Sequence, residues 1–229
     1  MIIMILDTET TGLCKFRTVL NFQLELWPHI VQLSYILYDT EKETVQIKDD
    51  IIKIPVNVLI SEENASIHGI TNEISSEKGV PLFECLLDFA KHYQHTDLLV
   101  GHNLSFDINM LIAELIRIID NRSSAVKHLV NYSKLLNSLM KPTKDKHFCT
   151  MKNSVDFCNI KSINKKGDEF IKFPSLAELH AKLFGTVPKH LHNSLNDVIV
   201  CFRCYYMLKH EVDILETNWQ ISKMYQTLL

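Results

Sequence analysis

The chain has 229 residues, 46% of them apolar and 22% charged, with a formal net charge of −3. That length suits one sizeable domain, residues 1–229, rather than two. The charge balance excludes nucleic-acid binding through bulk positive charge, so such a partner would have to be held by a local patch or by metal ions.

The first apolar run, Met1 to Leu6, lacks alternation and predicts a strand buried on both faces. It ends in Asp7, Thr8 and Glu9, followed by Thr10, Thr11 and Gly12. Those acids interrupt it too early for a secretory h-region. With six cysteines and no bilayer-length apolar run, the expected setting is a reducing one, cytoplasmic or nuclear, without membrane contact. Residues Cys14 to Pro28 predict an irregular excursion. His29 to Tyr38 and Thr44 to Pro55 predict two further strands, the three forming a meander. Ser61 marks a helix start and His68-Gly69 its stop. Pro81 to His95 predicts an amphipathic helix, Leu98 to Val100 a short strand, and Phe106 to Ile119 and Ala125 to Met140 two more helices. Lys141 to Phe173 is polar and lysine-rich, with strand-like pieces at HFCTM and SVDFCNI. Ser175 to Phe184, Ser194 to His210 and the tail at about 211–229 predict helices. The order is α/β, with no repeat and no low-complexity tract.

Three clusters could carry chemistry. Asp7 and Glu9 are i and i+2 on a strand and share one face. Like charges that close resist joint ionisation unless a cation lies between them, and Mg²⁺ or Mn²⁺ suits such oxygens. A turn-capping Asp7 with a solvated Glu9 is the plainer alternative for an isolated D-x-E. Asp107 falls in a first helical turn, where a carboxylate is stabilised by the dipole by about 0.3–1 kcal/mol. Asp197 lies three residues after Ser194, the spacing of a capping box. His192 then sits just before that helix, suited to general-base work. Taken together, four acids at strand ends and helix starts could hold two divalent ions about 3.5–4 Å apart, the clamp used in phosphodiester cleavage.

LDTETTG, GHNLSFD and HNSLND resemble the three motifs of the DEDDh 3′–5′ exonucleases, the DnaQ-like family, and IHGIT resembles a further family segment. The match runs in order from Ile3 to about Leu208. Asn193 stands where the tyrosine variant would need Tyr, and His190 is mis-spaced from Asp197, which leaves His192. The resemblance implies a ribonuclease H-like fold, with a mixed five-stranded sheet flanked by helices. It implies that Asp7, Glu9, Asp107 and Asp197 hold two Mg²⁺ or Mn²⁺ ions, that His192 is the general base, and that nucleoside 5′-monophosphates leave a nucleic-acid 3′ end. Single-stranded DNA is the expected substrate. RNA or oligoribonucleotide trimming, or an inactive nucleic-acid-binding module, are the alternatives. By similarity, Thr8, Thr10, Thr11, Gly12 and Leu13 hold the terminal nucleotide, Ile67 and His68 line its pocket, and Asn103 and Phe106 lie near the scissile bond. Simple core packing is the alternative for Phe106, and His102 reads as a turn residue. A homodimer or a polymerase partner is compatible with the family.

The lysines between Lys141 and Lys172, and Lys15 to Arg17, suit either a phosphate-tracking surface or a solvated face. Cys201 and Cys204 form a C-x-x-C within a helix. Buried thiols explain it better than a zinc site completed by Cys149 and Cys158.

Overall fold

The central strand β1 (Ile2–Thr10) pairs antiparallel with β2 (Ile30–Asp39), which pairs antiparallel with the edge strand β3 (Thr44–Ile51). Its other edge runs parallel to β4 (Leu98–Gly101), followed by β5 (His147–Cys149). The order β3-β2-β1-β4-β5 is the expected mixed five-stranded sheet. This computed structural model describes residues 1–14, 21–121, 128–143 and 145–228. Lys15 to Arg17, Lys144 and the first residues of the helix expected from Ala125 lie outside the described residues.

Helices cover both faces. Between β3 and β4 come α1 (Glu62–His68), α2 (Asn72–Lys78) and α3 (Leu82–Tyr93). After β4 come α4 (Leu104–Asp120) and α5 (Leu129–Met140). After β5 come α6 (Thr150–Asn153), α7 (Val155–Cys158), the hairpin of β6 (Lys161–Ile163) and β7 (Glu169–Ile171), then α8 (Leu176–Phe184) and α9 (Ser194–His210). The chain continues into α10 (Ile214–Thr217) and α11 (Trp219–Gln226). Among the described residues, no helix is long and apolar enough to cross a membrane.

The period-two geometry of β1 divides the core. Met4 and Leu6 pack with Leu86 and Phe89 of α3 and Met110 and Leu111 of α4. Ile3 and Ile5 face the other way, against Val198 and Phe202 of α9 and Ile221 of α11. Each fully buried aliphatic side chain stabilises the fold by about 1.5–3 kcal/mol. The same alternation continues past Leu6. Asp7 and Glu9 are therefore on the α9 face, and Thr8 on the α4 face.

Several expectations are corrected. β1 does not stop at Leu6 but runs to Thr10, because β2 pairs with it along its full length. SVDFCNI is not a strand: Val155–Cys158 is helical, the Ser154 hydroxyl donates to the Thr150 carbonyl at 2.7 Å, and Asn159 ends the turn at φ +47°. α2 was not foreseen, although Thr71 caps it by accepting from the Ile74 N–H at 3.2 Å.

Candidate active site

Two helices bring acids to the end of β1 that outruns β4. β4 pairs only with Ile3 to Ile5, so Asp7 to Thr10 extend beyond it. The chain leaves β4 at Gly101 and turns into α4 through Asn103, at φ +62°. A Cβ on Gly101 would stand 2.9 Å from Leu104 Cδ1 and 3.1 Å from the Leu6 carbonyl oxygen, so glycine lets this turn press against β1. Asp107 is thereby delivered to the strand's α4 face. Its Oδ1 accepts from the Thr8 N–H at 3.0 Å and the Thr8 hydroxyl at 2.8 Å.

α9 supplies the other face. Its cap is Asn193, whose side chain accepts from the Asn196 N–H, and not Ser194 as the spacing suggested. Asp197 is consequently not in a capping box; its Oδ2 accepts from the His192 backbone N–H at 3.1 Å. Ser194 fixes the helix to the sheet. Its hydroxyl donates to the Asp7 carbonyl at 2.7 Å, and its N–H donates to Gln32 Oε1 at 3.2 Å. Gln32 in turn donates to Asp49 at 2.8 Å. Neither Ser194 in this role nor Gln32 was foreseen, since no local pattern signals a bond between β1, β2 and α9.

Carboxylate oxygens of Asp7, Glu9 and Asp197 all lie within 4.8 Å of one another. Asp107 stays outside that group and acts on it through charge. Burial pushes the Asp7 carboxyl well above the usual range, and Asp107, Asp197 and Glu9 push it further. Glu9 rises to about 8, by burial and then by Asp197 and Asp107. Burial also raises Asp107 and Asp197 to about 7, against the hydrogen bonds from Thr8 and His192 that pull them down. Among the described residues, no Lys, Arg or His side chain forms an ion pair with any of the four. Asp197 Oδ1 is buried with no hydrogen-bond partner among the described residues. Leaving a buried acceptor unpaired costs about 1–3 kcal/mol, and more if it is charged. An all-oxygen donor set, crowded negative charge and an orphaned carboxylate oxygen fit a hard divalent cation. They are the only such cluster among the described residues, and the cysteines form no second one. Cys201, Cys204 and Cys158 are buried free thiols and Cys149 is half-buried.

His192 is exposed, with φ +70°. It therefore meets the acid cluster through its backbone, with its imidazole at the solvent side. His190 is also exposed; its carbonyl accepts from the Asn196 side chain at 2.8 Å.

The residues expected to hold a nucleotide divide into two sets. Thr8 and Thr10 are buried, and the Thr10 hydroxyl donates to the Gly12 carbonyl at 2.6 Å. Thr11 Oγ1 accepts from the His29 N–H at 3.0 Å. These hydroxyls thus shape the loop. Asn64 of α1 donates to the Thr11 carbonyl at 2.6 Å, which ties the helix carrying Ile67 and His68 to the TTG turn. Leu13 is 89% exposed and Ile67 49%. His68 is buried, with Nδ1 accepting from the Ile70 N–H. Thr11, Gly12 and Leu13 line an open depression with Trp27 and His29. Asn103 and Phe106 line a second groove that shares Trp27 with the first, and Phe106 also packs against the core. His102 is a turn residue, with both ring nitrogens engaged by Thr150 and Pro174.

No curated protein gave a match to the chain. Solved structures did. E. coli Exonuclease I in complex with a dT13 oligonucleotide superposes with a TM-score of 0.61 at 16% identity, covering 91% of this chain and 41% of that one. An Exonuclease I from Methylocaldum szegediense gives 0.59 at 15%, covering 95% and 43%. The E. coli enzyme with a dA16 oligonucleotide gives 0.58 at 16%, covering 94% and 43%. The chain thus spans about two-fifths of the length of these proteins, and the likeness establishes the ribonuclease H-like fold. The RNase_T exonuclease family matches residues 4–205, the stretch that holds all four acids and His192. The chain belongs to this family of DnaQ-like exonucleases.

Proposed function

We propose that the chain is a metal-dependent 3′–5′ exonuclease that releases nucleoside 5′-monophosphates from single-stranded DNA. The observation that carries the reading is the cluster of Asp7, Glu9 and Asp197, crowded within 4.8 Å, paired with no cationic side chain among the described residues and backed by Asp107. Membership of the exonuclease family supports the reaction type, and neighbours of the same fold hold dT13 and dA16 oligonucleotides.

Asp7, Glu9 and Asp197 would hold divalent cations, with Asp107 adding negative charge behind Thr8. Bound there, such ions supply an acidified water and charge stabilisation at the phosphodiester. The protein's own groups do the rest. His192 stands at the open side of Asp197, where its imidazole can take a proton from the attacking water. Its backbone hydrogen bond to Asp197 fixes where that base begins. The exposed Leu13 and Ile67 offer apolar surface to the terminal base, and the TTG backbone, held by Asn64 and His29, offers polar groups to its sugar.

The test is release of mononucleotides from a 3′-labelled oligomer with Mg²⁺ or Mn²⁺. DNA and RNA of equal sequence are run in parallel. The wild type should release label from DNA faster than from RNA, and Asp7→Ala should release none. An inert wild type, or Asp7→Ala with full activity, rejects the enzyme reading. Faster release from RNA moves the substrate to the alternative.

A further inference from the structure

A groove opens at the first turn of α4 and shares Trp27 with the depression at the TTG turn. It is lined by Asn103 and Phe106 of the α4 entry, by Trp27, and by Met151, Lys152 and Phe173. Phe173 is 57% exposed although it is a large aromatic. Lys152 is exposed and forms no ion pair among the described residues. Trp27 is buried, and its indole N–H has no partner among the described residues.

The backbone that carries the exposed ring is tethered on both sides. The Lys172 N–H before it donates to the Ile160 carbonyl at 2.9 Å, and the Lys172 ammonium pairs with Glu178. The Pro174 carbonyl after it accepts from His102 Nε2 at 3.1 Å. His102 Nδ1 meets the Thr150 hydroxyl at 2.9 Å, at the start of the turn that carries Met151 and Lys152. Burial lowers His102 to about 4, so at neutral pH the ring is neutral; its proton sits on Nε2, the only nitrogen facing a carbonyl. One imidazole thus joins the segments that carry Met151, Lys152 and Phe173 to the turn that precedes Asn103, Phe106 and Asp107. A large apolar ring on a tethered backbone, exposed beside a lysine with no ion pair among the described residues and across from the α4 turn that carries Asp107, has the makings of a stacking platform with a phosphate contact.

We propose that this groove binds the single strand on the 5′ side of the scissile phosphate, with a base on Phe173 and a phosphate at Lys152. His102 is a positioning residue for both. The inference rests on the exonuclease reading for its direction along the strand, while strand binding itself can be measured without catalysis.

The experiment compares two substrates. The p-nitrophenyl ester of thymidine 5′-monophosphate reaches the acid cluster alone, and oligo-dT also fills the groove. Phe173→Ala should raise KM for oligo-dT about five- to hundredfold, the range of one lost base stack, and leave the ester unchanged. Phe173→Trp should restore it. Lys152→Gln should make the fall of oligo-dT affinity with salt shallower, by about 0.7 in log–log slope. Equal KM in Phe173→Ala and wild type, or equal losses on both substrates, overturns the groove. If the wild type cleaves neither substrate, the exonuclease reading fails. Fluorescence anisotropy of labelled oligo-dT in chelator then decides the groove by itself: weaker binding by Phe173→Ala supports it, and unchanged binding rejects it.

Discussion

Two groups of acids withdrawn from solvent, one on α4 and one at the end of β1, are treated in opposite ways. Glu114 on α4 is 3% exposed. It meets Arg117 at 2.9 Å, His29 at 3.0 Å and the Ile30 N–H at 3.2 Å. Arg117 also donates to the carbonyls of Leu24 and Trp27, so this pair pins the segment before β2. At the end of β1 the acids are crowded against each other, and one oxygen of Asp197 has no partner among the described residues. A carboxylate buried with its cation in the same chain serves structure. We propose that carboxylates crowded together without one await a cation from outside.

Substitutions should separate the two places. Asp7→Asn should lower kcat by about 10³-fold or more, since it removes a metal-holding oxygen where transition-state charge is stabilised. In chelator at pH 8 the same variant should melt above wild type, because it removes one of several like charges. A lower melting temperature there would break the contrast. His192→Asn should cost about 10²–10⁴-fold in kcat with little change in melting temperature, because the side chain is exposed and its backbone bond to Asp197 survives. Chemical denaturation would expose any larger structural role.

Glu114→Gln should do the reverse of Asp7→Asn. It strands Arg117 and should cost about 3 kcal/mol of stability, or about 2–4 °C of melting temperature per kcal/mol, with turnover well below melting nearly intact. Loss of turnover without loss of stability would place Glu114 with the catalytic acids.

The smallest expected effect is a pH trend. Glu9 at about 8, and Asp107 and Asp197 at about 7, lie above their unfolded values near 4. Between those limits the folded state binds more protons than the unfolded one. Metal-free stability should therefore be greatest below about pH 4 as far as these groups decide it, and fall as pH rises through 7 to 8. Mn²⁺ should raise the melting temperature more at pH 8 than at pH 6, because it replaces those protons. Equal metal-induced shifts at both values would count against the cluster as the metal site.

Much of the acid site was legible in the sequence because its parts are local signals: a D-x-E on a strand, an Asp in a helix start, and a His five residues before an Asp. The sheet was legible from its apolar runs. What joins the parts was not. The bonds from Thr8 to Asp107, from Ser194 to Asp7 and from His102 to Thr150 and Pro174 cross 48 to 187 positions, and no periodicity records them. β6 and β7, at three residues each, are too short to show alternation, and exposed Phe173 read only as part of a lysine-rich stretch.

The central claim is that the acids at the end of β1 take an external divalent cation. Calorimetric titration of Mn²⁺ into the wild type and Asp7→Asn at pH 7, in two buffers of different ionisation enthalpy, tests it most directly. The wild type should bind Mn²⁺ and release protons to the buffer, and Asp7→Asn should bind at least about tenfold more weakly, a difference of about 1.4 kcal/mol. A wild type that binds no Mn²⁺, or a variant that binds it equally well, would contradict the account.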